Sequence, residues 1–99
     1  MLLPLAMALA TASPPPTAAA AERAAWTSCL TDVAQGESAS AKTAVTIAME
    51  ALATCRPERA AYWKRLMQDG ADRQAVDDRV ADEESKAARM LIQFVNRAR

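Results

Sequence analysis

The apolar residues of this chain recur at steps of three and four positions, the spacing that places side chains on one face of an α-helix. The clearest stripe follows steps of four, three, four and three and comprises Ala41, Val45, Ala48, Leu52 and Cys55. Ile47 and Met49 broaden this stripe. We therefore predict a helix, the second of the chain, from Ala41 to Cys55.

A similar stripe precedes this helix and comprises Trp26, Cys29, Leu30 and Val33. It predicts a first helix from Ala18 to about Gln35, with Thr17 as its N-cap. Trp26 lies one turn before the first cysteine, and we interpret it as a core residue. The alternative is that its ring forms a ligand-stacking surface.

The first two helices are predicted to form a hairpin joined by a disulfide. Gly36 suits the C-terminus of the first helix, and Ser38 or Ser40 suits the N-cap of the second. Each cysteine then lies on the apolar stripe of its own helix, so Cys29 and Cys55 can meet. The helical rise per residue requires a nearly stretched loop for this bridge, unless the first helix continues past Gly36.

A third helix follows the hairpin. Pro57 separates it from the second helix, because the residue before a proline disfavours helical geometry, and proline itself fits a first helical turn. We place the end of the third helix at Asp69-Gly70, a typical C-cap signal. Tyr62 and Trp63 are its predicted core aromatics.

A fourth helix is predicted from about Asp72 to near the C-terminus. Its apolar stripe comprises Val76, Val80, Glu83 or Glu84, Ala87, Leu91, and Phe94 or Val95. Acidic residues fill its first half and basic residues its second half, an order that suits the helix dipole. The predicted fold is therefore all-α, a small three- to four-helix bundle with a disulfide-linked N-terminal helical hairpin.

The N-terminus has the features of a secretory signal. Residues 1–12 contain an apolar run and end in Ala10-Thr11-Ala12, a cleavage sequence before Ser13. No lysine or arginine precedes the apolar run, so either the N-terminal amine supplies the charge or translation starts upstream. We predict a signal peptide over 1–12, a proline-rich spacer over 13–17 and a single helical domain over 18–99, exported to the periplasm. The alternative is an uncleaved, alanine-rich tail.

Export determines how the two cysteines are interpreted. In an oxidising compartment a cysteine pair usually forms a disulfide, here Cys29–Cys55, with an intermolecular bridge as the alternative. The sequence contains no histidine, which disfavours both a zinc site and a thiol catalyst. We expect no metal and no cofactor. The formal net charge is zero, so we also expect no nucleic-acid partner.

The C-terminal segment carries more large apolar residues than one packing stripe requires. The predicted interaction surface comprises Met90, Leu91, Ile92, Phe94, Val95 and Arg97. No acidic residue follows Glu84, so the charges of this segment are all positive. We expect it to contact a protein partner or a second copy of the chain. The alternative is that the fourth helix is central and surrounded by the others.

These features predict a small exported, disulfide-stabilised helical protein that acts as a non-enzymatic envelope binding or adaptor protein. Enzymatic activity is not expected, because acid–base catalysis needs histidines or buried carboxylates and the carboxylates here cluster on a hydrated face. Two alternatives remain. In size, helicity and its single disulfide the chain resembles the small periplasmic acid-stress chaperones, which implies apolar surface exposed at low pH. The basic C-terminal helix also suits contact with a membrane surface.

Overall fold

The computed structural model describes residues 13–99 and contains four helices over that range. These are α1 (Ala20–Glu37), α2 (Ala44–Thr54), α3 (Arg56–Gln68) and α4 (Arg73–Ala98). Residues 13–99 contain no strand, so the predicted all-α class is confirmed. The predicted signal peptide, 1–12, lies outside the described residues.

Each of the four helices contacts the other three, and α1 and α4 are the longest. The fully buried side chains form one core and come from all four helices: Trp26, Leu30, Ala34, Ile47, Ala48, Ala51, Cys55, Tyr62, Leu66, Val76, Val80, Leu91 and Val95. Four of them belong to α4 at the spacing that its apolar stripe predicts.

The N-terminal hairpin carries the predicted Cys29–Cys55 disulfide, with the two Cα atoms 5.9 Å apart. Helix α1 continues through Gly36 to Glu37, so the prediction of Gly36 as its C-cap was wrong. Helix α2 begins late, at Ala44 rather than Ala41. From their cysteines, α1 then rises about 12 Å and α2 about 17 Å towards the loop, and this small offset removes the need for a stretched connection.

The two N-caps of the hairpin differ from those predicted. The N-cap of α1 is Ala19, in a left-handed conformation with φ 55°, and no side chain caps this end. Thr17 therefore does not cap it. The N-cap of α2 is Thr43, whose hydroxyl accepts a hydrogen bond from the backbone N–H of Thr46. A threonine thus takes the role predicted for Ser38 or Ser40.

Helix α2 turns a different face to the core than its sequence stripe predicted. Ile47, Ala48 and Ala51 are buried, whereas Val45 is 57% exposed and Leu52 only partly buried. The helix is apolar on nearly every side, so periodicity alone does not identify the inner face. The small side chains of Ala48 and Ala51 allow α2 to pack closely against its neighbours.

The ends of α3 and α4 follow the predicted signals. Gly70 has φ 87°, a left-handed conformation that glycine adopts without steric cost, and its N–H donates to the carbonyl of Met67. Asp72 then caps α4 by accepting a hydrogen bond from the N–H of Ala75. Asp82 and Lys86 form an ion pair one turn apart on α4, with a 3.0 Å separation between Oδ2 and Nζ.

Candidate functional site: a groove between α1 and α4

An open groove of about 540 Å³ runs between α1 and α4, a volume within the range typical of ligand sites. We call it the α1–α4 groove. Its lining residues are Arg23, Trp26, Thr27, Leu30, Glu83, Lys86, Ala87 and Met90. Apolar side chains form one part of the surface, and charged side chains lie around it. This combination suits recognition of a molecule that has both apolar and charged groups.

The sequence places these residues together because they recur at helical spacing on two packed helices. On α1 the groove residues occupy positions i, i+3, i+4 and i+7, from Arg23 to Leu30. On α4 they run from Glu83 to Met90 in the same way. Positions three and four apart lie on one helix face. The contact between α1 and α4 then brings the two faces side by side.

A polar network closes one end of the groove. Glu83 is at its centre, since its Oε2 accepts a hydrogen bond of 3.0 Å from the hydroxyl of Tyr62. The Nε atoms of Arg79 and Arg23 lie 3.7 Å and 3.8 Å from the carboxylate oxygens. We call these four residues the Glu83 network. Its two arginines outnumber its single carboxylate, so the network is positively charged overall.

The same two arginines attach the proline-rich segment to the bundle. The Nη2 atom of Arg79 donates to the carbonyl oxygens of Pro14 and Pro15, at 2.8 Å and 3.0 Å. Arg23 Nη1 donates to the carbonyl of Pro16 at 3.3 Å. A carbonyl oxygen has two lone pairs, so Pro15 accepts from Arg79 as well as from the N–H of Ala18. Pro14 is buried, and the spacer therefore packs against the helices.

Burial raises the pKa of the Tyr62 hydroxyl above its ordinary value of 10.0. Loss of hydration is the main cause, because it disfavours the phenolate. The hydrogen bond from Arg79 opposes this shift, while the negatively charged Glu83 adds to it. Tyr62 is therefore a neutral hydrogen-bond donor to Glu83 at neutral pH.

Trp26 lies beneath the groove and belongs to the core. Its side chain is 2% exposed and packs on Tyr62, with ring centroids 6.0 Å apart. Its Nε1 is buried and has no hydrogen-bond acceptor among the described residues. Such a donor costs about 1–3 kcal/mol, because it loses its hydrogen bond to water on folding. The predicted core role of Trp26 is confirmed.

The six residues of the predicted interaction surface occupy three different environments. Leu91 and Val95 are fully buried in the core, so a partner does not reach them in the folded bundle. Met90 is 40% exposed and borders the groove. Ile92 and Phe94 are partly buried against the core. Arg97, one turn beyond Phe94, is exposed.

The accessible part of this surface divides into two edges of α4. At about 100° per residue, Met90 and Phe94 lie about 40° apart around the helix. Ile92 lies about 160° from Phe94, on the opposite edge. Met90 lines the groove, Phe94 lies on the same edge of α4 but outside the lining, and Ile92 lies on the other edge.

Two features of the candidate region were not identified from the sequence. The Glu83 network was missed, although a carboxylate on an apolar stripe with an arginine four residues earlier is a visible signal. The second feature is the outer face of α2. This face exposes Val45 and Met49, the latter at 59%. It was missed because both residues were assigned to the apolar stripe that faces the core.

The disulfide lies beside a third potential metal ligand. The Cys29 and Cys55 sulfurs and a carboxylate oxygen of Glu58 all lie within 4.8 Å of one another. Metal binding by cysteine requires thiolates. Because the two sulfurs are bonded to each other, Glu58 is the one free ligand of this cluster, and a single carboxylate does not form a metal site.

Comparisons of the chain with protein-family models, curated proteins and solved structures find no match. The functional argument therefore rests on the residues and geometry described above. None of the helices within residues 13–99 combines the length and the apolar character needed to cross a lipid bilayer.

Proposed function

We propose that this chain is a small exported protein that binds another macromolecule of the cell envelope and performs no chemistry of its own. The observation that carries the proposal is the α1–α4 groove, with partly exposed Met90 at its border and the exposed cations Arg23 and Lys86 in its lining. Apolar surface rimmed by polar groups is typical of a contact site.

The architecture supports a binding role in two further ways. The groove is formed by α1 and α4, which also contribute much of the core, so its two walls have a fixed separation. The disulfide fixes α1 to the end of α2 and limits local unfolding of the hairpin. A site on rigid helices binds a partner at a lower entropic cost than a site on loops.

Export is the second element of the proposal, and residues 1–12 supply its support. The disulfide is compatible with an oxidising compartment, where such bonds persist. The test is the intact mass of the protein purified from the periplasmic fraction of its host. We expect a chain that begins at Ser13 and has no reactive thiol. Cytoplasmic protein that retains 1–12 and has two free thiols would contradict export.

The binding role is tested by co-isolation from envelope extracts with a tagged chain. Met90→Asp places a negative charge at the border of the groove, and we expect at least a tenfold loss of the co-isolated partner. Ser85→Asp is the matched control, because it adds the same charge at an exposed position of α4 outside the groove lining. Circular dichroism establishes that both variants fold. Equal recovery by the two variants would exclude the groove as the contact site.

A further inference from the structure

The charges around the α1–α4 groove have an imbalance that indicates the chemistry of its partner. Arg23 and Lys86 line the groove, and their side chains are 49% and 66% exposed. The carboxylate that lines it, Glu83, is already bonded to Tyr62 and lies beside two arginines. Lys86 in turn pairs with Asp82 at 3.0 Å. The cations Arg23, Arg79 and Lys86 still outnumber the two carboxylates, so the surface presented to a partner is positive by one charge.

This positive surface continues along α4. Lys86, Met90 and Arg97 fall within about 40° of one another around the helix, at 100° per residue. Lys86 and Arg97 are eleven positions apart, which corresponds to about 16 Å or three helical turns. The resulting strip has a cation at each end and an apolar side chain between them. No acidic residue follows Glu84, so no carboxylate of α4 competes for Arg97 in this strip.

The wall formed by α1 has no acidic side chain, whereas the α4 wall contains Glu83. The residues of α1 that line the groove are Arg23, Trp26, Thr27 and Leu30. Carboxylates of a partner would therefore meet cations on both walls, without repulsion from α1. Apolar groups of the partner would meet Leu30, Ala87 and Met90, and methionine adapts its shape to different apolar surfaces.

We propose that the α1–α4 groove binds an acidic amphipathic helix, about three turns long, from another protein. Helix-in-groove recognition uses apolar anchors at three- and four-residue spacing, with charges that match the rim. The length of the strip, its terminal cations and its apolar centre fit that mode. This inference rests on the proposed function, since it names the chemistry of the partner at the same site.

The first experiment compares two synthetic peptides of about eighteen residues by isothermal titration calorimetry with the full, disulfide-bonded chain. Both peptides carry leucine at alternating three- and four-residue steps, with glutamate at the other positions in one and lysine in the second. We expect the glutamate peptide to bind at least tenfold more tightly and its affinity to fall with added salt. Equal binding of the two peptides, or no binding of either, would overturn the proposal.

Charge-neutralised variants locate the binding. Lys86→Gln combined with Arg97→Gln removes both terminal cations, and we expect about fivefold weaker binding of the glutamate peptide. Arg56→Gln combined with Lys64→Gln makes the same change in net charge at exposed positions of α3, and should leave the affinity unchanged. An equal loss in both double variants would assign the effect to overall charge and overturn the proposal.

The two tryptophan indoles provide a direct spectroscopic readout. In the free protein Trp63 Nε1 donates to Asp77 at 2.7 Å, whereas Trp26 Nε1 has no partner among the described residues. In nitrogen–proton correlation spectra we expect the glutamate peptide to shift the Trp26 indole signal and to leave the Trp63 signal in place. A shift of Trp63 alone would place the peptide elsewhere and contradict the proposal.

A membrane surface is the competing partner, and vesicles of phosphatidylglycerol test it. Co-sedimentation with these vesicles, without binding of the glutamate peptide, would overturn the inference and assign the face to lipid. Failure of the inference is distinct from failure of the proposed function. If Met90→Asp abolishes co-isolation of a partner but the glutamate peptide does not bind, the binding role stands and the acidic helix is wrong.

Discussion

At the scale of single residues, Ile47 and Val45 lie close together on one helix but contribute differently to the free energy of unfolding. Both are β-branched and lie two residues apart on α2, but Ile47 is fully buried and Val45 is 57% exposed. We predict that Ile47→Asp lowers the free energy of unfolding by about 4 kcal/mol or more, because it places an unpaired charge in the core. Urea denaturation measures the change.

Val45→Asp is the control for this prediction and should change the free energy of unfolding by about 0.5 kcal/mol or less. Leu52 is partly buried, so Leu52→Asp should fall between the two. The sequence stripe predicts the opposite order for Val45 and Ile47, since Val45 belongs to it and Ile47 only broadens it. A larger effect at Val45 would show that the stripe, and not the observed face, packs inward.

Tyr62 carries a prediction for the dependence of stability on pH. Burial raises its pKa in the folded state, so the folded protein holds this proton more tightly than the unfolded chain. The stabilising contribution is complete below the unfolded pKa of about 10 and is lost as pH rises through the folded pKa. In Tyr62→Phe, the alkaline loss of stability should be smaller than in the natural sequence.

Two measurements check this prediction. Tyr62 is the one tyrosine in the sequence, so phenolate absorbance reports its titration without interference from another tyrosine. We expect a midpoint above that of the urea-unfolded chain, and urea unfolding curves should diverge between the natural sequence and Tyr62→Phe above about pH 10. Identical midpoints in the folded and unfolded chains would contradict the account.

At the scale of secondary-structure elements, the disulfide connects α1 to the end of α2. The bridge closes a loop with a sequence separation of 26. In the chain-entropy model this closure stabilises the fold by about 3.5 kcal/mol. We predict a loss of that size for Cys29→Ala combined with Cys55→Ala, measured by urea denaturation. Reduction of the natural protein should give a similar loss, and no change in either case would show that the bridge is dispensable.

The attachment of the proline-rich segment to α4 depends on Arg79. Its hydrogen bonds hold the Pro14 and Pro15 carbonyls beside the bundle, and Pro15 in turn accepts from the N–H of Ala18 at 3.0 Å. We predict that Arg79→Ala accelerates hydrogen exchange at the Ala18 amide, because the turn loses its anchor. Arg73→Ala is the control, and equal exchange rates in the two variants would contradict this role of Arg79.

The number and class of the helices could be predicted from the sequence, and some of their ends could not. Pro57, Gly70 and Asp72 mark ends through local conformational preferences, so sequence alone identifies them. The α1–α2 connection has no such marker. A glycine costs a helix only about 1 kcal/mol relative to alanine, so Gly36 does not by itself end α1, which continues to Glu37.

The candidate site was less predictable than the fold, because it joins residues far apart in the sequence. Arg79 bonds to Pro14 across 65 positions, and Tyr62 bonds to Glu83 across 21. Periodicity reports which face of one helix is apolar, but not which neighbour it meets. The prediction that Met90 and Phe94 belong to an interaction surface stays a prediction. Met90 lines the groove, and Phe94 lies on the same edge of α4.

At the scale of the whole molecule, zero net charge conceals an uneven distribution. The C-terminal half of α4 is positive, and the acidic residues of that helix lie in its first half. Because α4 contacts every other helix, its positive half forms part of the bundle surface next to α1. A protein with this charge separation can remain soluble and also attract an acidic partner to one region.

The central claim is that the α1–α4 groove, and not the outer face of α2, contacts the partner. Site-specific photo-crosslinking in the intact envelope tests it most directly, with p-benzoylphenylalanine placed singly at Met90, Val45 or Ser85. All three positions are exposed, so the probe is accessible at each of them. We predict a discrete adduct from position 90 and none from positions 45 and 85. An adduct from position 45 alone, or no adduct from position 90, would contradict the account.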